Sequence, residues 1–345
     1  MFKRIVATIF LFLCFSVKIS ASENIGFREI FLDKNTERPL HFVMWYPSDD
    51  IGHTVIVGEH PTYYGISVIK DAIPDIEKHP LVVLSHGYGG NWRNLNWLAG
   101  ELAKKGFIVA TPNHPGTTTE DRNPLSAAQL WERPRDLSRV IDFILEQSDF
   151  AKLVDRERIA AIGHSLGGWS VVELTGARFN SDLLVTDCKT NQILASCNIL
   201  SELGIGKNEI TKAKLDGDLG DQRVKAIISL DLALTRGFSP QSLSMVNIPT
   251  LVITAGVDVG DMPAELESEH LAKNLPKEKS KYIVIDDAMH FSFRPNCKPN
   301  AIALIEKNNP KGGVICKDGG DRSRKEIHNE ILNHILIFFQ QVFPK

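Results

Sequence analysis

The stretch Arg158-Ile159-Ala160-Ala161-Ile162-Gly163-His164-Ser165-Leu166-Gly167-Gly168 decides the fold of this 345-residue chain. Its first half is an apolar run that predicts a buried strand, and a helix over residues 166–177 is predicted to follow at once. Gly163 and Gly167 leave room for a tight turn between the two elements. The unpaired N–H groups of the first helical turn can then face a developing negative charge. We therefore predict a nucleophile elbow with Ser165 as the nucleophile, rather than a glycine-rich loop with a bystander serine.

The composition is that of a globular protein, and the N-terminus carries a targeting signal. With 43% hydrophobic residues and a formal net charge of −3, the chain can bury a sizeable core and has no charge excess that points to nucleic acid. Lys3 and Arg4 precede the apolar residues 5–17, and the small residue Ala21 follows shortly after. This apolar stretch is too short to span a bilayer comfortably. It predicts a secretory signal peptide over residues 1–21, with an uncleaved anchor as the alternative, and therefore a periplasmic or secreted protein.

Four cysteines would remain in the mature chain, and an even number in an exported protein predicts disulfides. We favour the pairs Cys188–Cys197 and Cys297–Cys316 among the three pairings, because each closes a short local loop. Neither spacing resembles a zinc site. Buried free thiols are the alternative.

Strands and helices are predicted to alternate on both sides of the elbow, which favours an α/β fold with a mostly parallel sheet covered on both faces. A hairpin is expected from strands at 28–32 and 40–46, and further strands at 81–84, 107–110, 224–230, 249–254 and 282–285. Helices are expected after the caps Asn91 and Ser323, and at 131–148 and 265–274. The pattern lapses at about 178–221, which we predict to be an insertion in a single domain over residues 22–345.

A serine nucleophile needs a base, and the base needs an orienting acid. The predicted base is His290, because the loop after a parallel strand lies at the same sheet edge as the elbow. His86 and His114 also follow strands, whereas His164 is expected to point away from the site. Asp231 is the favoured acid, since a carboxylate flanked by apolar residues needs a partner.

The acid has two alternatives, and the oxyanion needs donors of its own. Asp258 and Asp261 follow the next strand, in a glycine-bearing loop, and either would also keep the chain order serine, acid, histidine. The backbone N–H groups of Leu166 and Tyr88 are the predicted oxyanion donors. Tyr88 lies in a glycine-rich turn that lets the backbone approach a substrate closely. No metal or organic cofactor is implied.

These motifs together resemble the α/β-hydrolase superfamily. More narrowly, the chain is similar to bacterial exported dienelactone-hydrolase-like proteins and to the platelet-activating-factor acetylhydrolase group. The similarity is carried by Leu84-Ser85-His86-Gly87-Tyr88-Gly89-Gly90, the elbow, Ser229-Leu230-Asp231, and His290-Phe291-Ser292-Phe293 followed by Cys297. The acetylhydrolase resemblance implies an acid at Asp231, whereas most α/β-hydrolases carry theirs at the position of Asp258. True dienelactone hydrolases use a cysteine where this chain has Ser165.

The sequence favours an exported serine hydrolase that cleaves small or short-chain carboxylic esters through an acyl-enzyme on Ser165. A lipase or phospholipase is the first alternative, with residues 178–221 as a lid and Trp92, Trp97 and Trp131 lining an acyl pocket, although core packing is the favoured role of these tryptophans. A lipid substrate would bring transient contact with a membrane or lipid surface. A non-catalytic binding protein that retains the fold is the second alternative.

Overall fold

The computed structural model describes residues 24–205 and 208–343, so the predicted signal peptide at 1–21 lies outside the described residues. Ten strands are found in the described part of the chain. They are β1 (Asn24–Leu32), β2 (Leu40–Ser48), β3 (Val55–Val57), β4 (Ile66–Lys70), β5 (His79–Ser85), β6 (Ile108–Pro112), β7 (Val154–His164), β8 (Ala226–Leu230), β9 (Thr250–Val257) and β10 (Ser280–Met289).

Eleven α-helices accompany these strands within the same residues. They are α1 (Asn96–Lys104), α2 (Pro124–Ala127), α3 (Glu132–Glu146), α4 (Leu166–Glu173), α5 (Ser181–Asp187), α6 (Ala195–Leu203), α7 (Glu209–Leu215), α8 (Pro240–Leu243), α9 (Ser268–Asn274), α10 (Ala301–Glu306) and α11 (Arg324–Val342). Short 3₁₀ helices cover Trp92–Leu95, Asp149–Lys152, Thr235–Gly237, Ala264–Leu266, His290–Phe293 and Gly312–Cys316. None of the helices in this part of the chain has the length and apolar character needed to cross a bilayer.

The strands form one sheet in the order β10-β9-β8-β7-β5-β6-β2-β1-β4-β3. The six strands from β10 to β6 run parallel to one another, and β2 joins them antiparallel through β6. The predicted hairpin is confirmed as the antiparallel pair of β1 and β2. The mostly parallel sheet predicted from the alternating pattern is therefore confirmed.

Helices cover both faces of the sheet, and strand residues alternate between the two cores. In β5, Leu81 and Val83 belong to the core under α3 and α4, while Val82 and Leu84 belong to the core under α1 and α11. Both faces of β5 are thus apolar, which is why the central strand is a continuous hydrophobic run in the sequence. The capping box predicted at Ser323 is present, and its side chain accepts a hydrogen bond from the Glu326 N–H.

Two predicted helices differ from the observed ones. The elbow helix ends at Glu173 rather than at residue 177, because the chain tightens into short turns and reaches a left-handed φ of +83° at Gly176. The helix expected at 265–274 begins as a 3₁₀ turn, and α9 starts only at Ser268. Residues 178–221 contain α5, α6 and α7. Both favoured disulfides, Cys188–Cys197 and Cys297–Cys316, are formed.

We expect Gly167→Ala to destabilise the protein by about 3 kcal/mol, because its new Cβ would overlap the backbone carbonyl of Ser85, which cannot move without bending β5. Urea unfolding followed by circular dichroism measures this effect. Gly52→Ala is the matched control, since its Cβ would meet only the Ile69 side chain at 3.3 Å. It should change stability by less than about 0.5 kcal/mol. Equal effects in both variants would contradict a packing constraint at the elbow.

Candidate active site

Four segments with polar side chains meet at the carboxyl edge of the parallel strands. The turn at 85–90 follows β5, and Ser165, Asp231 and His290 directly follow β7, β8 and β10. Ligands bind at this edge in open α/β sheets. The three side chains come from distant parts of the chain and are brought together only because their strands are parallel.

Ser165 lies in the strained turn that the sequence predicts. Its φ is +58°, in the left-handed region that non-glycine residues rarely adopt. Its N–H donates to the Leu230 carbonyl at 3.0 Å, which joins the elbow to the end of β8 just before Asp231. The residue is 8% exposed. Its hydroxyl makes no hydrogen bond among the described residues, so it is free to turn toward a substrate.

Asp231 and His290 are joined by a short hydrogen bond. The imidazole Nδ1–H donates to Asp231 Oδ2 at 2.6 Å, and Oδ1 accepts from the Thr254 hydroxyl at 2.9 Å and the Ala255 N–H at 3.0 Å. Burial by itself raises the pKa of Asp231, but the hydrogen bonds and the His290 charge outweigh it and hold the pKa below its ordinary value. The carboxylate therefore stays charged and fixes the imidazole with Nε2 as its basic nitrogen.

The structure does not bring the two alternative acids to the imidazole. Asp258 is exposed, and its carboxylate accepts from the Met262 N–H at 3.0 Å. Asp261 is also exposed, and its carbonyl accepts from the Ala195 N–H at 3.0 Å. Within the described residues, Asp231 is the one carboxylate of the three that bonds to His290.

The other histidines of the site are buried and serve as hydrogen-bonding groups. His164 Nε2 donates to the His290 carbonyl at 2.9 Å, and the two rings lie 4.7 Å apart. Burial, with a contribution from His290, lowers the pKa of His164 to about 3, so it stays neutral. His114 bridges Ser85 and Asp136, at 3.0 Å on each side. Burial also lowers the pKa of His114 well below its ordinary value.

The turn at 85–90 passes directly beside Ser165. A Cβ added to Gly87 would lie 3.0 Å from the Cβ and 3.4 Å from the Oγ of Ser165. The N–H groups of Tyr88 and Leu166, the predicted oxyanion donors, make no hydrogen bond within residues 24–205 and 208–343. This leaves both N–H groups available to a ligand at Ser165. The Tyr88 hydroxyl donates to Glu202 on α6 at 2.8 Å.

A buried arginine that the sequence interpretation missed underlies this turn. Arg133, on α3, donates to the hydroxyls of Ser170 and Thr117 at 3.0 and 2.5 Å and to the carbonyl of His86. It thereby ties the turn at 85–90 to α4. The sequence pattern could have indicated its burial, because Arg133 lies on the apolar face of α3, four residues before the buried Leu137.

Several known proteins are similar to this chain. A family model of PET hydrolase-like proteins matches residues 54–184. "Cutinase 2" of Thermobifida cellulosilytica is 27% identical over 224 residues, which cover 64% of this chain and 63% of that protein. "Platelet-activating factor acetylhydrolase" of Bos taurus is 28% identical, covering 28% of this chain and 32% of that one. A ferulic acid esterase from Streptomyces cinnamoneus has a similar structure, with a TM-score of 0.62 at 20% identity, covering 94% of this chain and 92% of that one.

This chain has the α/β-hydrolase fold and is similar to PET hydrolase-like proteins and cutinases. The resemblance and the fold class predicted from the sequence motifs are thereby confirmed. "Cutinase cut1" of Thermobifida fusca, 27% identical over 64% of this chain, is matched over 51% of its length. The chain thus spans about half to two thirds of the length of the cutinases that it matches.

The segment that carries His290 is held by a buried histidine of α11. His328 Nε2 donates to the carbonyls of Ser292 and Arg294 at 2.9 and 3.0 Å, and its ring stacks on Trp97 at 3.6 Å. Burial lowers the pKa of His328 to about 3. The ring therefore remains neutral in the folded α/β-hydrolase at all but strongly acidic pH.

We expect this histidine to make the protein acid-sensitive. The unfolded chain binds a proton at His328 near pH 6.5, whereas the folded protein resists protonation down to about pH 3, so stability falls as pH drops below about 6.5. His328→Gln retains an N–H donor and should spare roughly 2–3 kcal/mol of the loss between pH 7 and pH 4.5. Urea unfolding at both pH values measures the difference. Exposed His53→Gln should follow the wild type, and a wild-type-like loss in His328→Gln would contradict the assignment.

Proposed function

We propose that the protein is a serine hydrolase that cleaves carboxylic esters through an acyl-enzyme on Ser165. The observation that carries the proposal is the 2.6 Å hydrogen bond from His290 to the buried Asp231, formed beside a serine in a left-handed turn. A serine, an oriented imidazole and a charged carboxylate are the groups that acyl transfer requires.

In the proposed reaction, Ser165 Oγ attacks the acyl carbon while His290 Nε2 takes its proton. The oxyanion of the tetrahedral intermediate accepts hydrogen bonds from the Leu166 and Tyr88 N–H groups, and losing one such donor typically costs a factor of about 10²–10³ in rate. The imidazolium, stabilised by Asp231, returns the proton to the leaving alkoxide and the alcohol departs. Water activated by His290 then attacks the acyl-enzyme and releases the acid.

The substrate class is supported by the similarity to cutinases and to an acetylhydrolase, whose names both denote ester cleavage. Short acyl chains are favoured because the three tryptophans considered for an acyl channel are buried in the cores, where Trp97 donates to the Phe293 carbonyl at 2.8 Å. Apolar side chains exposed on α5, on α7 and in the loop before α6 support the lipid alternative instead; they are Leu183, Ile193 and Ile210.

Export to the periplasm or the medium is part of the same proposal. Two disulfides are formed, and disulfides persist in oxidising compartments. The predicted signal peptide also supports export.

Active-site substitutions test the mechanism. With p-nitrophenyl butyrate and the mature protein, Ser165→Ala should abolish turnover and labelling by a fluorophosphonate probe. Asp231→Asn should lower kcat by about 10⁴, because the imidazole loses its correct tautomer. Asp258→Asn is the matched control and should retain most of the activity.

Strong loss of activity in Asp258→Asn with little loss in Asp231→Asn would move the acid to Asp258. A wild type that neither turns over esters nor labels would favour a binding protein.

Acyl length separates the two ester classes. We expect kcat/KM for p-nitrophenyl esters to peak at two to four acyl carbons and to fall at least tenfold by twelve carbons, because the three tryptophans considered for an acyl channel are buried in the cores. Activity that rises with chain length, or increases on micelles, would instead support the lipid alternative.

A further inference from the structure

Arg294 is an unpaired guanidinium four residues after the predicted base. Among the described residues its side chain donates no hydrogen bond and forms no ion pair, and its Nε is buried without a partner. It is held instead by aromatic faces, with its guanidinium carbon 5.2 Å from the Tyr63 ring centre and 6.0 Å from that of Phe291. Partial burial of a cation without an anion costs desolvation free energy, and the surrounding groups do not compensate this cost.

The other buried arginines all have oxygen partners. Arg133 donates to hydroxyls and a carbonyl, Arg236 binds Asp187 and Glu267, and Arg324 binds Asp318. Arg294 is the exception in the described part of the chain. Its charge is retained at neutral pH, although burial lowers its pKa.

The guanidinium lies on the His290 side of the site. The Phe291 ring contacts the His290 ring at 5.2 Å on one side and Arg294 on the other. The Arg294 charge also contributes, after burial and His290, to the low pKa of His164, which precedes the predicted nucleophile. Phe291 thus contacts both the predicted base and Arg294.

A backbone hydrogen bond fixes the aromatic surroundings of Arg294. The Tyr64 N–H donates to the Asn296 carbonyl at 3.0 Å, so the loop that carries Tyr63 is joined to the segment after Arg294. Glu59 accepts from Lys298 and from the Gly65 N–H. Glu120 also has partners of its own, since it accepts from Asn91 at 3.1 Å and pairs with Arg93 at 3.7 Å.

We propose that Arg294 binds a carboxylate of the substrate, so that the ester cleaved at Ser165 is one that also carries a negative charge. A guanidinium presents two parallel N–H groups that match a carboxylate, and partial burial strengthens such a pair. Arg294 takes no part in bond making or breaking; it holds the charged end of the substrate while the ester carbonyl meets Ser165. This inference rests on the proposed ester hydrolysis, and the carboxylate can lie on the acyl or on the alcohol side.

Two pairs of esters, each differing only in charge, test the inference. For the acyl side, mono-p-nitrophenyl adipate is compared with p-nitrophenyl 5-carbamoylpentanoate. For the alcohol side, 3-carboxyphenyl butyrate is compared with 3-carbamoylphenyl butyrate. The wild type should prefer the carboxylate by tenfold or more in kcat/KM in at least one pair.

Variants then assign that preference to one side chain. Arg294→Gln should lower kcat/KM for the preferred carboxylate ester tenfold to a hundredfold and change the amide ester less than threefold. Arg294→Lys should recover part of the loss, because it restores charge but not the paired donors. Arg93→Gln is the matched control, since it removes an equal charge that already has an acid partner, and it should change either ester less than threefold.

The outcomes separate failure of the inference from failure of the proposed function. If the wild type hydrolyses the amide esters and shows no preference for a carboxylate, the inference alone is overturned. The same holds if Arg294→Gln lowers kcat/KM equally for both esters, or if Arg93→Gln lowers it as much as Arg294→Gln does. If no ester is hydrolysed and no fluorophosphonate labels Ser165, the proposed function fails and the inference falls with it. If Arg294→Gln does not fold, the wild-type preference and Arg294→Lys decide.

Discussion

The site depends on how closely three backbone segments approach one another at the elbow. A side chain at Gly163 would overlap Gly167, and a side chain at Gly167 would overlap the end of β5. Because both residues are glycines and have no Cβ, the first turn of α4 lies against the turn at 85–90. That contact brings Gly87, in the turn at 85–90, directly beside Ser165. The left-handed φ at Ser165 is the local strain that this packing imposes, and it is held in place by the core on either side of the sheet.

A second constraint is the burial of charge beneath this surface. Asp231 is charged and buried, and it is stabilised by donors from His290, Thr254 and Ala255. Arg133 is buried on the other side of Ser165 and is stabilised by hydroxyl and carbonyl oxygens. Removing one partner from such a group leaves an unpaired charge, which costs more than the contact itself is worth. Each charge therefore fixes the position of the segments that supply its partners.

What could be predicted from the sequence was mainly what local patterns encode. The elbow, the hairpin, the capping box at Ser323 and both disulfides depend on residues close in sequence, and each was found. The choice between Asp231 and Asp258 remained open, because it depends on which strand end faces His290 across three neighbouring strands. Arg294 could not be recognised either, since its lack of a partner among the described residues depends on which groups the fold brings to its guanidinium.

The segment from His290 to Arg294 shows why the second helical layer matters to the site. Its carbonyls accept hydrogen bonds from three buried aromatic side chains: His290 from His164, Phe293 from Trp97, and both Ser292 and Arg294 from His328. Trp97 lies on α1 and His328 on α11, and the two rings stack. Burial keeps both imidazoles neutral, so each contributes one N–H donor and adds no charge beneath the site. The predicted base and the unpaired guanidinium thus share one rigid support, so a substrate bound at Arg294 would be presented to His290 and Ser165 at a fixed distance.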